Sequence, residues 1–318
     1  MTIVDAHIHL WDLSRFSLSW FRDDMGLPRE ASPEAFHSST ASPVERAGTL
    51  RLAGARSATD SRDETPQADL DTPPVAFPLV ERARNERDET PQADLETHHA
   101  TTAIAVQAGD TLPEMQWLLK VAATDPRVRA VVLQYVPGPE GWAGLATSVL
   151  NDRVHGIRVA TPGGAADLSD VPGLDALCSG AGESGRVVEF LVRPAQLDAV
   201  ARVAARHPHT RFVLCHLGLG AGVPTPEWEG SLRRVAAQPH TAAKFSGLVT
   251  GVEDHARLAA LAATASTLLG ADRLMFGSDW PMSSRVTSYA RLVDDVAIAW
   301  GDRPDAFWGA TAAETYGL

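Results

Sequence analysis

Ile3-Val4-Asp5-Ala6-His7-Ile8-His9 opens the chain as a short, largely apolar run that carries two imidazoles at its far end. Its branched side chains suit an extended strand. Successive residues of a strand point to opposite faces, so His7 and His9 share one face while Ile8 takes the other. Seven further runs of this kind follow, at 102–107, 130–136, 155–160, 187–192, 211–216, 242–246 and 273–278. Most are dense in Val, Ile, Leu, Phe and Ala with little polar alternation, the pattern of parallel strands covered on both faces. Helical segments lie between them. Thr111-Leu112-Pro113-Glu114 has the form of a capping box with proline in the first turn, and Met115, Leu118, Leu119 and Ala122 follow at helical spacing. After Pro194, Leu197, Val200, Ala201 and Ala204 mark one face of a helix and Arg202 and Arg206 the other. A doubly wound open sheet alternates in the same way. Eight strands with polar residues at so many C-terminal ends favour an α/β fold of the (β/α)8 TIM-barrel type.

The chain has 318 residues, which suits one such barrel spanning 1–318 with an insertion. A net charge of −12 would repel a phosphate backbone, so no nucleic-acid partner is expected. A small anionic substrate remains compatible with that charge, because a few local arginines decide its binding. No apolar run approaches the ~20 residues of a membrane span, and no secretory pattern precedes the first strand, so a cytoplasmic location without membrane attachment is expected. Cys178 and Cys215 are the two cysteines and lie far apart, which excludes a disulfide framework or a thiolate metal site. A homo-oligomer is left open.

Residues 13–96 form a stretch far longer than an ordinary βα loop and are expected as an insertion after the first strand. Within it Arg62-Asp63-Glu64-Thr65-Pro66-Gln67-Ala68-Asp69-Leu70 recurs unchanged as Arg87-Asp88-Glu89-Thr90-Pro91-Gln92-Ala93-Asp94-Leu95. Two copies of a nonapeptide point to a local duplication rather than a solenoid. Trp20, Phe21, Phe36 and Phe77 imply that part of the insertion packs onto the barrel. A lid over the mouth and a tolerated surface excursion are both open readings.

The chemistry concentrates at strand ends. Paired imidazoles at His7 and His9 make half of a site for zinc or a similar ion, although on an arbitrary strand the same pattern also marks polar edge residues. His216 follows Phe212-Val213-Leu214-Cys215, and Asp279 follows Leu274-Met275-Phe276-Gly277-Ser278. A barrel gathers the C-terminal ends of its strands around one rim, so these four side chains are expected to meet there. A core histidine and a capping or salt-bridged aspartate are the bland alternatives for His216 and Asp279.

Taken together, Asp5-Ala6-His7-Ile8-His9-Leu10-Trp11-Asp12, His155-Gly156-Ile157-Arg158, Leu191-Val192-Arg193-Pro194-Ala195-Gln196-Leu197, Cys215-His216-Leu217-Gly218, Lys244-Phe245-Ser246-Gly247 and Gly277-Ser278-Asp279-Trp280-Pro281 resemble the amidohydrolase superfamily. The likeness is to its group of sugar-acid lactonases and pyrone dicarboxylate lactonase. It covers nearly everything except the insertion and implies a TIM barrel in which His7, His9, His216 and Asp279 surround the reacting carbonyl. Arg158 matches an arginine of the family, and its planar guanidinium suits bidentate carboxylate recognition. Arg193 and Lys244 are further candidates for substrate binding. Arg193 either serves so or bridges strand and helix, and Lys244 either points into the mouth or pairs with a buried acid. Glu189 is another inward candidate, and Trp11 and Trp280 either wall the pocket or simply pack.

The sequence also departs from the dinuclear members of that superfamily. Arg158 stands where a metal-bridging lysine or glutamate is found, and Lys244 and Ser246 occupy the strand that would carry a fourth histidine, so two metals are not expected. Cys215 replaces a frequent aspartate. The expected reaction is hydrolysis of a lactone of a small sugar acid or carboxylated cyclic ester, with Asp279 as general base. His7, His9 and His216 then act on the carbonyl directly, without metal, or with Asp279 hold one divalent ion, zinc by ligand type. A mononuclear amidohydrolase or decarboxylase and a catalytically silent ligand-binding barrel are the alternatives.

Overall fold

In the computed structural model residues 2–41, 101–136, 150–249 and 255–318 are described. They belong to a compact unit that covers Met1–Ala41 and His98–Leu318. Both copies of the nonapeptide, and Phe77, lie outside the described residues. Eight strands form one sheet whose neighbours follow chain order, and every pairing along it is parallel. They are β1 (Ile3–Ile8), β2 (Thr101–Val106), β3 (Val128–Gln134), β4 (Val154–Ala160), β5 (Val187–Leu191), β6 (Arg211–Leu214), β7 (Thr241–Phe245) and β8 (Leu274–Phe276). Each lies within a few residues of its expected place. The sheet closes into a barrel where His9 N donates to Trp280 O at 2.7 Å and Asp279 N to His7 O at 2.8 Å.

Inside the cylinder Val4, Ala6, Ile104, Val106, Ala130, Val132, Val187, Val213, Ala242 and Met275 form one apolar layer. Helix α8 (Ala310–Tyr316) seals the end at which the strands begin. Its Ala312 and Tyr316 join that layer, and its Glu314 carbonyl accepts from Arg211 at the start of β6. Gly156, on β4, keeps the interior uncrowded, since a Cβ there would come within 3.3 Å of Val132 Cγ2 and of the Val187 carbonyl. The inward residues one step further along the strands are polar: Arg158, Glu189, Cys215 and Lys244. All four are buried. Burying such groups is costly unless each finds a partner, so this layer marks where chemistry displaces packing.

The outer face packs against α2 (Leu112–Thr124), α3 (Leu174–Glu183), α4 (Leu197–Arg206), α5 (Pro226–Ala236), α6 (His255–Leu269) and α7 (Tyr289–Trp300), with α1 (Pro33–Thr40) preceding them in the chain. On α4, Leu197, Val200, Ala201 and Ala204 are buried while Arg202 and Arg206 face solvent, as the periodicity predicts. The capping box at α2 forms only by half. Thr111 Oγ1 accepts from Glu114 N, but the Glu114 carboxylate reaches beyond the cap to accept from Ala108 N and Gly109 N, fastening the loop after β2. No described helix is long and apolar enough to cross a membrane.

Candidate active site

The four expected residues do converge. Two local devices aim them. On β1 the pairing with β2 shifts register between Asp5 and Ile8. Val4 and Ala6 point inward before this bulge, and His7 and His9 point inward beyond it, because one extra residue reverses the alternation. His216 and Asp279 lie past the ends of β6 and β8 on backbone in the left-handed region, at φ 53° and φ 58°. For residues with a Cβ that conformation costs about 1–3 kcal/mol, and such strain persists mainly where surrounding structure enforces it for function.

Nε2 of His7 stands 3.3 Å from Nε2 of His9. Oδ1 of Asp279 lies 3.6 Å from His7 Nε2, 3.5 Å from His9 Nε2 and 4.0 Å from His216 Nε2. Two of the imidazoles have their tautomer set by a carbonyl. His9 Nδ1 donates to Val106 O at 2.8 Å, and His216 Nδ1 donates to Ser246 O at 2.9 Å, so each turns a lone pair on Nε2 toward Asp279. His7 Nδ1 is buried without a hydrogen bond. Donors bound to one tetrahedral ion at about 2.0–2.1 Å stand roughly 3.4 Å from one another, so the His7, His9 and Asp279 set is spaced to share a divalent ion. Outer carbonyl partners of the kind that hold His9 and His216 are usual for imidazole ligands.

Burial holds His7 well below the ordinary imidazole value, and the nearby Lys244 ammonium pushes it the same way. Burial lowers His216 as well, against the pull of Asp279. Burial alone would raise the Asp279 carboxyl, but His216, His9 and the Arg158 guanidinium outweigh it and keep the group below the usual carboxylate range. Burial thus favours neutral imidazoles at His7 and His216 beside an ionised Asp279.

Not every candidate reaches this centre. Lys244 Nζ donates to Glu189 Oε1 at 2.7 Å with both side chains fully buried, so the ammonium is paired rather than free for a substrate. Glu189 also accepts from the Tyr316 hydroxyl and from Cys215 Sγ, which accounts for Cys215 in place of an acid. Burial and the neighbouring Glu189 push the Cys215 thiol upward, so it stays protonated as a donor. Trp11 is buried, donates to Pro28 O and packs edge-on against Trp20; Trp280 packs on Phe36. Both tryptophans pack under the segment that follows β1.

Arg158 remains at the centre. Its Nη2 donates to Gln107 O and its Nε to Gln134 Oε1, while Nη1 makes no hydrogen bond among the described residues. Arg193 sits past the end of β5 with its guanidinium over Gly220, where a Cβ would come within 2.7 Å of Nη1. Its side chain likewise makes no ion pair among the described residues.

A match to the amidohydrolase family spans residues 4–318. The chain belongs to the amidohydrolase family. It is accordingly a hydrolase. An L-fucono-1,5-lactonase of Burkholderia multivorans is 32% identical over 247 residues, which cover 68% of this chain and 80% of that protein. Among solved structures, an amidohydrolase from Burkholderia multivorans with bound zinc superposes with a TM-score of 0.72 over the whole of both chains, at 24% identity. A probable 2-pyrone-4,6-dicarboxylic acid hydrolase from Acinetobacter baumannii follows at 0.67, also over the whole of both chains and at 14% identity. At these identities the two structures show the shared fold.

Several residues that shape this amidohydrolase site carried no assigned role in the sequence. Ser246 orients His216, and Gly247 lies so close that a Cβ would come within 2.7 Å of His216 Nδ1. Glu114 and Gln107 fix the end of β2 beside His9 and Arg158. Asp5 accepts from the backbone of two site-bearing segments. Asp5, Ser246 and Gly247 lie within the quoted motifs, but their parts depend on which backbone groups the fold brings beside them, which composition and spacing do not reveal.

Proposed function

We propose that this amidohydrolase opens the lactone ring of a small sugar acid or carboxylated cyclic ester. The observation that carries the reading is an ionised Asp279 within 3.5–4.0 Å of three imidazoles. The name of the lactonase relative supports the substrate class.

Water attacks the ring carbonyl carbon while Asp279 takes its proton, and the C–O bond to the ring oxygen then breaks. Returning the proton to that oxygen completes the hydroxy acid. The alkoxide of an ester is a better leaving group than an amine, so lactone opening demands less of the site than amide cleavage. His7, His9 and Asp279, with His216 beside them, would hold one divalent ion, zinc by donor type, which when bound polarises the carbonyl. Arg158 turns its uncommitted Nη1 to a carboxylate or hydroxyl of the substrate. Arg193 extends that recognition toward the rim.

The test is acid release from a panel of aldonolactones and pyrone carboxylates, run beside metal analysis of the purified protein. Hydrolysis of at least one lactone class with saturation is expected. A panel left untouched by metal-loaded and metal-free protein alike refutes the reading.

A further inference from the structure

The seam between β1 and β8 is where the barrel closes, and it runs through the site: His7 and His9 lie on one side, Asp279 on the other. Unlike the other neighbouring strand pairs, these two share no continuous ladder, and one isolated bridge, Ile8 to Trp280, joins them. A side chain completes the seam. Asp5, fully buried on the outer side of β1, accepts from His7 N at 3.1 Å and from Ser278 N at 2.9 Å, both through Oδ1. The first of these amides is freed by the register shift that turns His7 inward. The second belongs to the residue immediately before Asp279. One step further, Asp279 N donates to His7 O at 2.8 Å.

We infer that Asp5 is a positioning residue for hydrolysis: its Oδ1 sets the distance between the imidazoles of β1 and the carboxylate beyond β8. The inference rests on the lactonase reading for its kinetic half only. Two buried amides that lose their shared acceptor must find another or bear the desolvation cost, and either response moves the bulge or the turn. Both movements change the His7 to Asp279 separation of 3.6 Å. Small displacements of reacting groups cost turnover steeply, because binding contacts elsewhere survive while the attack geometry does not.

Asp5→Ala removes the acceptor. Asp5→Asn keeps the Oδ1 acceptor in place and puts Nδ2 where Oδ2 faces the Tyr289 hydroxyl. Two readouts are taken on folded protein: kcat and KM on the lactone that the wild type opens, and the imidazole NMR resonances of His7 and His9, with those of His207, which pairs with Asp175 on the outer helices, as reference. For Asp5→Ala the expectation is a fall in kcat of about tenfold or more with KM within about threefold. The His7 resonance should shift while that of His207 stays. Asp5→Asn should recover kcat to within about threefold and restore the His7 resonance. A folded Asp5→Ala protein with unmoved His7 and His9 resonances overturns the proposal, as does an Asp5→Asn protein no closer to wild type than Asp5→Ala. If no lactone is opened by the wild type, the lactonase reading fails by itself and the resonances still decide the role of Asp5.

Discussion

At the scale of single residues the site depends on conformations that side chains rarely choose. His216 and Asp279 adopt left-handed backbone although both carry a Cβ, and Gly247 supplies the same conformation beside them at φ 60°. Gly247→Ala is expected to lower stability by about 1–2 kcal/mol, from its positive φ. It should also displace His216, whose Nδ1 would lie 2.7 Å from the new methyl. Denaturation and turnover measured on one preparation check both effects, and unchanged turnover would mean that the His216 position is not critical. Asp279→Asn keeps shape but not basicity. It should fold as the wild type does and lose at least ~10²-fold in kcat, the scale of a missing general base. The pH profile follows from the same electrostatics. An imidazole whose pKa is lowered takes its proton only on the acid side of the ordinary 6.5, and Asp279 stays ionised below its ordinary 3.8. Activity should therefore be level through neutrality and decline only below pH 6.5; an acid limb centred above that value would contradict neutral His7 and His216 in the working enzyme.

At the scale of elements, strand identity was legible because parallel barrel strands are apolar on both faces, and the eight runs stand out from amphipathic helices such as α4. Direction at the strand ends was less so. Alternation put His7 and His9 on one face correctly, yet the register shift that aims them inward relative to Val4 and Ala6 has no sequence signature here. Lys244 and Glu189 sit on strands β7 and β5, which are not neighbours in the sheet, so their pairing across the interior could be posed from sequence only as an alternative. That pair gives a prediction at this scale. Lys244→Met leaves a buried carboxylate without its counter-charge and should destabilise the barrel by about 3–5 kcal/mol. In the double variant with Glu189→Gln the charge is gone and an acceptor remains for Tyr316. Its loss should be smaller than that of Lys244→Met by at least about 1 kcal/mol. Urea denaturation of both proteins decides, and equal losses would show that packing, not charge, governs the site of the pair.

Over the whole molecule, one cylinder joins residues 7 and 279 at its mouth and closes its base with the last helix. The base is a structural commitment as much as the mouth is a chemical one. Ala312 and Tyr316 complete the interior apolar layer, His155 Nδ1 donates to Tyr316 O at 2.7 Å, and the Tyr316 hydroxyl ends the hydrogen-bonded group around Glu189. Removing residues 310–318 would open that layer to water at Val4, Ile104, Val132 and Val187 together. Each fully exposed aliphatic side chain forfeits about 1.5–3 kcal/mol, so the summed loss reaches the ~5–15 kcal/mol that stabilises a typical domain. The truncated chain should lack a cooperative unfolding transition. Tyr316→Phe separates packing from polarity: the ring still fills the base while Glu189 keeps Lys244 and Cys215 as donors. Its cost should be about 1.5–3 kcal/mol, the net worth of one hydrogen bond to a charged group, with a sharp transition retained. A truncated protein that unfolds as cooperatively as Tyr316→Phe would show that the barrel holds its interior without the plug.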